Sequence, residues 1–262
     1  MPVEPPIEVP ASLAEAYAIL AESTIDEPIV PIAGGTDVMP RITGEIGEPP
    51  GRMIDLSRLE GLRGITVDGA AVIIGAVQIQ NRGTLGGNIA NASPAGDTLP
   101  VLLALDAAIE VGGARGERTI PAGEFWVAYR QTALAPDELI LRIRIPVAGG
   151  REVRFRKIGT RRAQAISKVV LALAWRESHA VPASPWSDVR LALGSVADRP
   201  LRVRATEAVL EGETPTPETA DAAAEALAAE IHPIDDVRST ADYRRVVAAR
   251  ALHRMIRDAG GW

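Results

Sequence analysis

Apolar and polar positions alternate along the chain in patterns that predict short strands between a few helices. Ser12 precedes an amphipathic stretch over residues 13–20, so the first predicted element is a helix with a hydroxyl cap. Strands are predicted at Pro28–Ala33, Met53–Leu56, Gly64–Val67 and Ala71–Ala76. Gly and Asp turns separate these strands without regular intervening helices, which indicates an α+β unit and not a repeated βαβ arrangement.

The second half of the chain shows the same mixture, followed by a helical end. The pattern predicts a buried helix over Leu99–Ala108, strands at Ala108–Val111 and Glu138–Ile145, and three later strands at Val153–Ile158, Ser167–Arg176 and Asp188–Ser195. Thr216 and Pro217 predict the start of a helix through Ile231, and residues 239–242 start a last helix that ends at Gly260–Gly261. Pro146 and Ala148–Gly150 indicate a linker, where we expect a domain boundary.

Composition narrows the classes of function. The 262 residues carry a net charge of -6, which argues against binding to nucleic acid. There is no cysteine, so disulfides, a thiol nucleophile and cysteine-bound zinc or iron–sulfur clusters are excluded, and the three histidines are too far apart in sequence to predict a metal site. The start of the sequence does not resemble a signal peptide and no apolar run is long enough to cross a bilayer, so we expect a cytoplasmic protein without a membrane span.

Two glycine-centred loops are the candidate binding sites. Gly34-Gly35-Thr36-Asp37 follows a predicted strand, and Thr84-Leu85-Gly86-Gly87-Asn88 follows Arg82, which adds a positive charge. Consecutive backbone N–H groups beside hydroxyl and amide side chains can bind a phosphate group without a lysine. Neither loop fits Gly-x-Gly-x-x-Gly or Gly-x-x-x-x-Gly-Lys-Ser/Thr, so a Rossmann or P-loop site is not supported. Taken alone, two ordinary tight turns explain them equally well.

Read together, these loops resemble a known family. Ala33–Asp37, Asn81–Ile89 with Ser93-Pro94-x-x-Asp97, Phe155–Val169 and Pro233–Arg244 resemble, in this order, the FAD-binding medium subunit of the molybdenum hydroxylases, which include xanthine dehydrogenase and carbon monoxide dehydrogenase. The resemblance implies an α+β fold with an FAD-binding domain of the vanillyl-alcohol-oxidase (PCMH) type over residues 1–148. It divides that domain at about 1–56 and 57–148, and it implies a C-terminal domain over 151–258 with a three-stranded antiparallel sheet and a helical bundle.

The resemblance also implies which residues bind FAD. They are Ile32, Ala33, Gly34, Gly35, Thr36, Asp37, Val38, Thr84, Leu85, Gly86, Gly87, Asn88, Ala90, Gly96, Asp97, Ile140 and Lys157. A carboxylate is a poor phosphate ligand, so Asp97 is expected to bind sugar hydroxyls or to order its loop, with a simple Asx turn as the alternative; the same doubt applies to Asp37. Ile140 is expected to pack near the flavin. Lys157 is expected to bring a cation to it, unless Lys157 is only a solvated residue of a basic strand.

The implied function is electron transfer within a complex. FAD would receive electrons from 2Fe–2S clusters on a small partner subunit, fed by a molybdopterin centre on a large one, and pass them to NAD or another acceptor. A heterotrimer or its dimer is expected, with no catalytic acid or base and no metal in this chain, which would be inactive towards substrate alone. The sequence departs from the family in one place, because a helical segment is missing after Ala76. A structural subunit that has lost FAD is therefore the alternative, and a stand-alone flavin oxidase is a third reading.

Overall fold

The computed structural model describes residues 5–45, 47–76, 79–80, 83–147, 149–161, 165–177 and 184–262. The strands are β1 (Ile7–Glu8), β2 (Ile29–Ile32), β3 (Arg52–Asp55), β4 (Ile65–Asp68), β5 (Ala71–Gly75), β6 (Ile79–Gln80), β7 (Gly83–Thr84), β8 (Ala108–Gly113), β9 (Gly116–Pro121), β10 (Trp126–Ala128), β11 (Gln131–Thr132), β12 (Leu139–Pro146), β13 (Arg151–Ile158), β14 (Val169–Arg176), β15 (Ser187–Gly194) and β16 (Leu201–Arg202). The helices are α1 (Leu13–Leu20), α2 (Met39–Ile42), α3 (Leu85–Asn91), α4 (Leu99–Ala104), α5 (Ala122–Phe125), α6 (Arg204–Leu210), α7 (Pro217–Glu230) and α8 (Ala241–Gly260), with a 3-10 turn at Glu60–Leu62.

The chain forms two compact units and passes between them several times. The first unit comprises Met1–Asn91, Ala107–Val127 and Gln131–Val147. The second comprises Ala92–Asp106, Ala128–Arg130 and Ala148–Trp262. The segment that contains α4 therefore belongs to the second unit, although the elements on both sides of it in sequence belong to the first.

The first unit is built mainly on two sheets, beside the short β6-β7 pair. A parallel sheet has the order β1-β3-β2, and an antiparallel sheet has the order β4-β5-β12-β8-β9. Leu20, Ile54, Leu62 and Leu141 are fully buried within one apolar cluster that joins α1 to both sheets. The predicted cap of α1 is confirmed, because the Ser12 hydroxyl accepts a hydrogen bond from the N–H of the third helical residue.

The second glycine segment is a helix and not the loop that the sequence predicts. The Thr84 hydroxyl accepts from the Gly87 N–H at 3.0 Å and so caps the first turn of α3. The N–H of Gly86 donates to the Ala76 carbonyl at 2.9 Å, and a Cβ on Gly86 would lie 2.8 Å from the Ala76 Cβ. Glycines disfavour helices in general, but here the close approach to Ala76 requires Gly86, and the cap and packing outweigh its low helix propensity.

The second unit packs helices on a four-stranded antiparallel sheet of order β13-β14-β15-β16. The three predicted strands are present. The sheet also has a fourth strand, β16, which the sequence analysis did not predict because two residues are too few to show an alternation of polar and apolar positions. α4 packs on β14 and β15, and α7 packs against α8. The predicted caps are confirmed: Thr216 begins α7, Thr240 begins α8, and Gly261 ends α8 in the left-handed conformation. The α+β fold class is confirmed.

A buried polar centre around Ser195 holds three parts of the second unit together. Ser195 has a φ of 65°, its N–H donates to the Pro94 carbonyl at 2.8 Å, and its hydroxyl donates to the Ser167 carbonyl at 3.0 Å. Arg244, which is 5% exposed, donates to the Ser195 carbonyl at 2.7 Å and to the Asp236 carboxylate at 2.6 Å. The unusual backbone conformation of Ser195 is therefore supported by bonds from the 93–97 turn, from the start of β14 and from α8.

The described helices are too short or too polar to cross a lipid bilayer.

Candidate functional site

A cavity of about 520 Å³ lies within the first unit, in the size range of small-molecule sites. Three parts of the chain line it: the end of β2 with the turn that follows, the first turns of α3, and the start of β12. Many of the residues that the resemblance implies for FAD are in its wall, namely Ile32, Ala33, Gly34, Gly35, Thr36, Asp37, Val38, Thr84, Gly86, Gly87, Asn88, Ala90 and Ile140. Two glycine segments that are 50 residues apart in the sequence thus share one cavity.

The turn after β2 offers unpaired backbone donors to the cavity. Gly35 has a φ of 70°, and its carbonyl accepts from the N–H groups of Val38 and Met39. Within the described residues, the N–H groups of residues 34–37 have no protein acceptor. Four consecutive donors in a cavity wall are the set that an anionic group such as a diphosphate takes, so this part of the chain fits the cofactor that the sequence implies.

The start of α3 contributes less to an anion than the sequence suggests. Two of its N–H groups are already used, since Gly87 donates to Thr84 and Gly86 donates to Ala76. A Cβ on Gly87 would lie 2.8 Å from the Thr84 hydroxyl oxygen. These glycines therefore allow a close approach between the helix and its surroundings, and Gly86, Gly87 and Asn88 are part of the cavity wall.

Asp37 connects the two glycine segments. The side-chain amide of Asn91, the last residue of α3, donates to the Asp37 carboxylate at 3.2 Å. Both residues line the cavity. Asp37 thus has a hydrogen-bond partner that sequence reasoning did not identify. The bond connects the turn after β2 to the end of α3 and so orders the cavity wall.

Glu138 is a charged wall residue that sequence reasoning missed. Its side chain is only 9% exposed, and both carboxylate oxygens accept from Arg118 at 2.7 Å. Arg118 also donates to the Ala133 carbonyl at 2.8 Å, and the Glu138 carboxylate accepts from the Ala135 N–H at 2.8 Å. The guanidinium of Arg118 holds the pKa of the Glu138 carboxyl below its ordinary value. This ion pair fixes the turn that leads into β12, where Leu134, Leu139 and Ile140 complete the wall.

Arg41 is the other missed residue, and it brings a positive charge. It belongs to α2, four residues after Asp37, and it lines the cavity. Its Nε–H donates to the Glu48 carbonyl at 2.9 Å, and it forms no ion pair within the described part of the chain. Arg41 follows the glycine motif by one helical turn, and this spacing was the signal in the sequence that could have placed it in the site.

The remaining predicted residues are not part of this wall. Leu85 begins α3 without lining the cavity, and Gly96, Asp97 and Lys157 belong to the second unit. There, the Asp97 carboxylate accepts from Lys157 at 2.5 Å and from the Ser167 hydroxyl. The turn at 93–96 is closed by the backbone carbonyl and hydroxyl of Ser93, which accept from the N–H groups of Gly96 and Ala95.

Several predicted features lie outside the described residues, namely Asn81 and Arg82 of the second motif and Arg162 to Gln164 of the third. Among the residues that are described, no group of three or more His, Asp and Glu side chains could hold a metal ion.

Comparison with known proteins decides the family. Residues 4–78 and 74–148 match the family described as FAD binding domain in molybdopterin dehydrogenase, and residues 154–259 match the CO dehydrogenase flavoprotein C-terminal domain. The chain belongs to the family of FAD-binding medium subunits of molybdenum hydroxylases. The two matches together extend over nearly all of the chain, and the resemblance inferred from the motifs is confirmed.

Relatives of this family align over almost their full length. The chain is 30% identical to the carbon monoxide dehydrogenase medium chain of Hydrogenophaga pseudoflava, over 95% of each chain, and 32% identical to the nicotine 6-hydroxylase medium subunit of Paenarthrobacter nicotinovorans, over 96% of this chain and 95% of the other. The crystallised carbon monoxide dehydrogenase from Hydrogenophaga pseudoflava that lacks the Mo-pyranopterin moiety superimposes with a TM-score of 0.90 at 30% identity, over 99% of this chain and 98% of that one.

These alignments also bear on the predicted missing segment. The alignment with the carbon monoxide dehydrogenase medium chain runs over 280 positions, although this chain has only 262 residues. The relative therefore has residues that this chain lacks. The FAD-binding family also matches in two pieces that overlap at residues 74–78, a stretch that includes the cavity residue Ala76.

Proposed function

We propose that this chain binds FAD in the cavity of its first unit and transfers electrons within a molybdenum hydroxylase complex. One observation carries the proposal: residues of both glycine motifs line a single cavity, and in one of them four consecutive N–H groups have no acceptor within the described residues. In the proposal, a small subunit with 2Fe–2S clusters and a large molybdopterin subunit supply the electrons. NAD or another acceptor receives them.

The residues of the chain would bind and orient the cofactor. The N–H groups of residues 34–37 would hold the diphosphate, and Thr84, Asn88 and Ala90 would contact the same part of the molecule from α3. The apolar side chain of Ile140, which is 7% exposed, would pack against the flavin and exclude water from it. FAD, when bound, supplies both one-electron and two-electron redox chemistry, so no acid or base from the protein is needed.

Other parts of the proposal rest on the family resemblance alone. They include cofactor contacts of Leu85, Gly96, Asp97 and Lys157, the domain limits at 1–148 and 151–258, and assembly into a heterotrimer or its dimer. They also include a cytoplasmic location and a lack of activity towards substrate in the isolated chain. The hydroxylated substrate is a property of the large subunit, and this chain carries no part of that site in the proposal.

A structural subunit that has lost FAD is the second candidate, and one observation favours it. The family match is divided at residues 74–78, where the sequence predicts a missing segment, and Ala76 in this stretch lines the cavity. Loss of a wall segment would expose the cofactor to water and weaken its binding. The intact donor set of residues 34–37 argues for retention of FAD, so we place this candidate second.

An absorbance spectrum of the purified full chain, before and after addition of FAD, tests the proposal. We expect one FAD per chain, seen as a flavin band near ~450 nm that arises from the cofactor itself. Heat release followed by chromatography then identifies the flavin. If no flavin co-purifies and excess FAD changes neither the spectrum nor the melting temperature, the structural subunit becomes the better reading.

Two matched glycine variants locate the binding site. Gly35 and Gly44 both have positive φ, at 70° and 77°, so alanine costs about 1–2 kcal/mol of backbone strain at either position. Only Gly35 lines the cavity. We therefore expect Gly35→Ala to lose FAD while Gly44→Ala, equally strained, retains it. Equal retention in both variants would exclude the turn after β2 from the site.

A further inference from the structure

The charged side chains of the cavity wall differ in how they are paired. Its wall contains three charged side chains in the described part of the chain, Asp37, Arg41 and Glu138. Glu138 is neutralised by the two-point contact with Arg118, and Asp37 accepts from the Asn91 amide. Within the described residues, the one hydrogen-bond partner of the Arg41 side chain is a neutral backbone carbonyl.

The guanidinium of Arg41 retains most of its hydrogen-bonding capacity. Its Nε–H donates to the Glu48 carbonyl, and this hydrogen bond orients the guanidinium group. The four N–H groups on Nη1 and Nη2 have no acceptor among the described residues. A planar group with a pair of free, parallel donors is the side chain that binds phosphate oxygens at two points.

Arg41 also follows directly after the unpaired donors of the glycine turn. The turn contributes the N–H groups of residues 34–37, and α2 begins at Met39, so Arg41 is held close to them by a short, regular stretch of backbone. Both line the same cavity. Main-chain donors and a cation are thus combined in one wall, although the segments Gly34–Asp37 and Thr84–Asn88 contain no basic residue.

We propose that Arg41 binds the diphosphate of FAD, as a cation placed beside the backbone donors of residues 34–37. The inference rests on the proposed function, because it assigns a role to Arg41 in the same site. Arg41 would act on affinity and on the choice between flavins, since riboflavin carries no phosphate. No chemical step is assigned to it.

The test compares flavin affinities of full-chain variants after removal of bound cofactor. Arg41→Met removes the charge and Arg41→Lys keeps it without the two-point geometry. Arg58→Met is the matched control, because Arg58 is exposed, does not line the cavity and changes the net charge by the same amount. Titrations with FAD and with riboflavin, at low and at high salt, give the dissociation constants, and thermal unfolding without flavin reports on the fold.

We expect Arg41→Met to weaken FAD binding about 10- to 100-fold, the usual effect of losing a hydrogen-bonded charge contact, and Arg41→Lys to recover part of the loss. Salt should weaken FAD binding in the unaltered chain more than in Arg41→Met. Riboflavin affinity and the melting temperature should stay within the range of Arg58→Met.

Three results would separate failure of this inference from failure of the proposed function. FAD binding by Arg41→Met within twofold of Arg58→Met would overturn the role of Arg41 and leave the proposed function standing. A loss of FAD affinity that is matched by a lower melting temperature and by an equal loss of riboflavin affinity would show a structural role only. An unaltered chain that binds no FAD would overturn both.

Discussion

Gly86→Ala is the substitution for which the structure gives the clearest contest between two opposing effects. Gly86 lies in the first turn of α3, where alanine would ordinarily stabilise the helix by about 1 kcal/mol. The added Cβ, however, would lie 2.8 Å from the Ala76 Cβ and 2.9 Å from the Ala76 carbonyl oxygen, against about 3.5–4.0 Å for an ordinary carbon contact.

The steric effect should win. Relief of the contact requires α3 and residue 76 to separate by several tenths of an ångström, and overpacking of this kind costs about 1–3 kcal/mol. The same movement lengthens the hydrogen bond from the Gly86 N–H to the Ala76 carbonyl, now 2.9 Å, at a further cost of about 1 kcal/mol. After the gain in helix propensity, the net loss of unfolding free energy is about 1–3 kcal/mol.

Urea unfolding followed by circular dichroism measures this loss, with Gly123→Ala in α5 as the control. Gly123 also lies in a helix, but nothing comes within 4 Å of its added Cβ, so alanine there should stabilise the chain by about 0.5–1 kcal/mol. Because Ala76 and Gly86 both line the cavity, Gly86→Ala should also bind FAD more weakly. A Gly86→Ala chain as stable as Gly123→Ala would refute the packing argument.

Three further substitutions test other contacts. Arg118→Met leaves the Glu138 carboxylate without its main partner and should cost about 1–3 kcal/mol of unfolding free energy. Because Arg118 lowers the folded-state pKa of Glu138, the stabilisation from this pair is present above the unfolded pKa of about 4.3 and is lost as pH falls through the folded pKa. In urea titrations from pH 7 to 3, the variant should therefore lose less stability than the unaltered chain. Arg244→Met leaves the buried Ser195 carbonyl without its donor and removes one of several partners of the more exposed Asp236 carboxylate, so it should cost about 1–3 kcal/mol, whereas a thermal midpoint close to that of the unaltered chain would contradict the bracing role of Arg244. Gly261→Ala forces a left-handed C-cap on alanine, for which calorimetry should record a loss of about 1 kcal/mol.

Local signals in the sequence were sufficient for much of the fold. Hydroxyl caps at Ser12, Thr216 and Thr240 and the glycine at 261 define helix ends within one or two residues, because capping is a contact between near neighbours. Strands with a clear alternation were also predicted. The two-residue strands β1 and β16 were not, since their pairing depends on distant partners and two positions cannot show a period.

The site was predictable to the extent that its motifs are continuous in sequence. The glycine segments were found in this way, and the structure adds that they share a cavity. Arg41 and Glu138 were missed because their positions in the wall depend on how α2 and β12 pack, which no spacing within a motif reveals. The helical state of residues 85–91 was missed for a related reason: the contact with Ala76 that favours it lies outside the segment.

The assignment of residues 92–106 to the second unit has a consequence for synthesis of the chain. α4 buries Leu99, Leu102 and Leu103 and packs on β14 and β15, yet β15 ends only at Gly194. At about 5–20 residues per second, the ribosome adds that strand on the order of 5–20 seconds after α4 has been made. During this interval α4 has no sheet to cover its leucines. The second unit can close only late in translation, and until then the leucines of α4 are open to a chaperone.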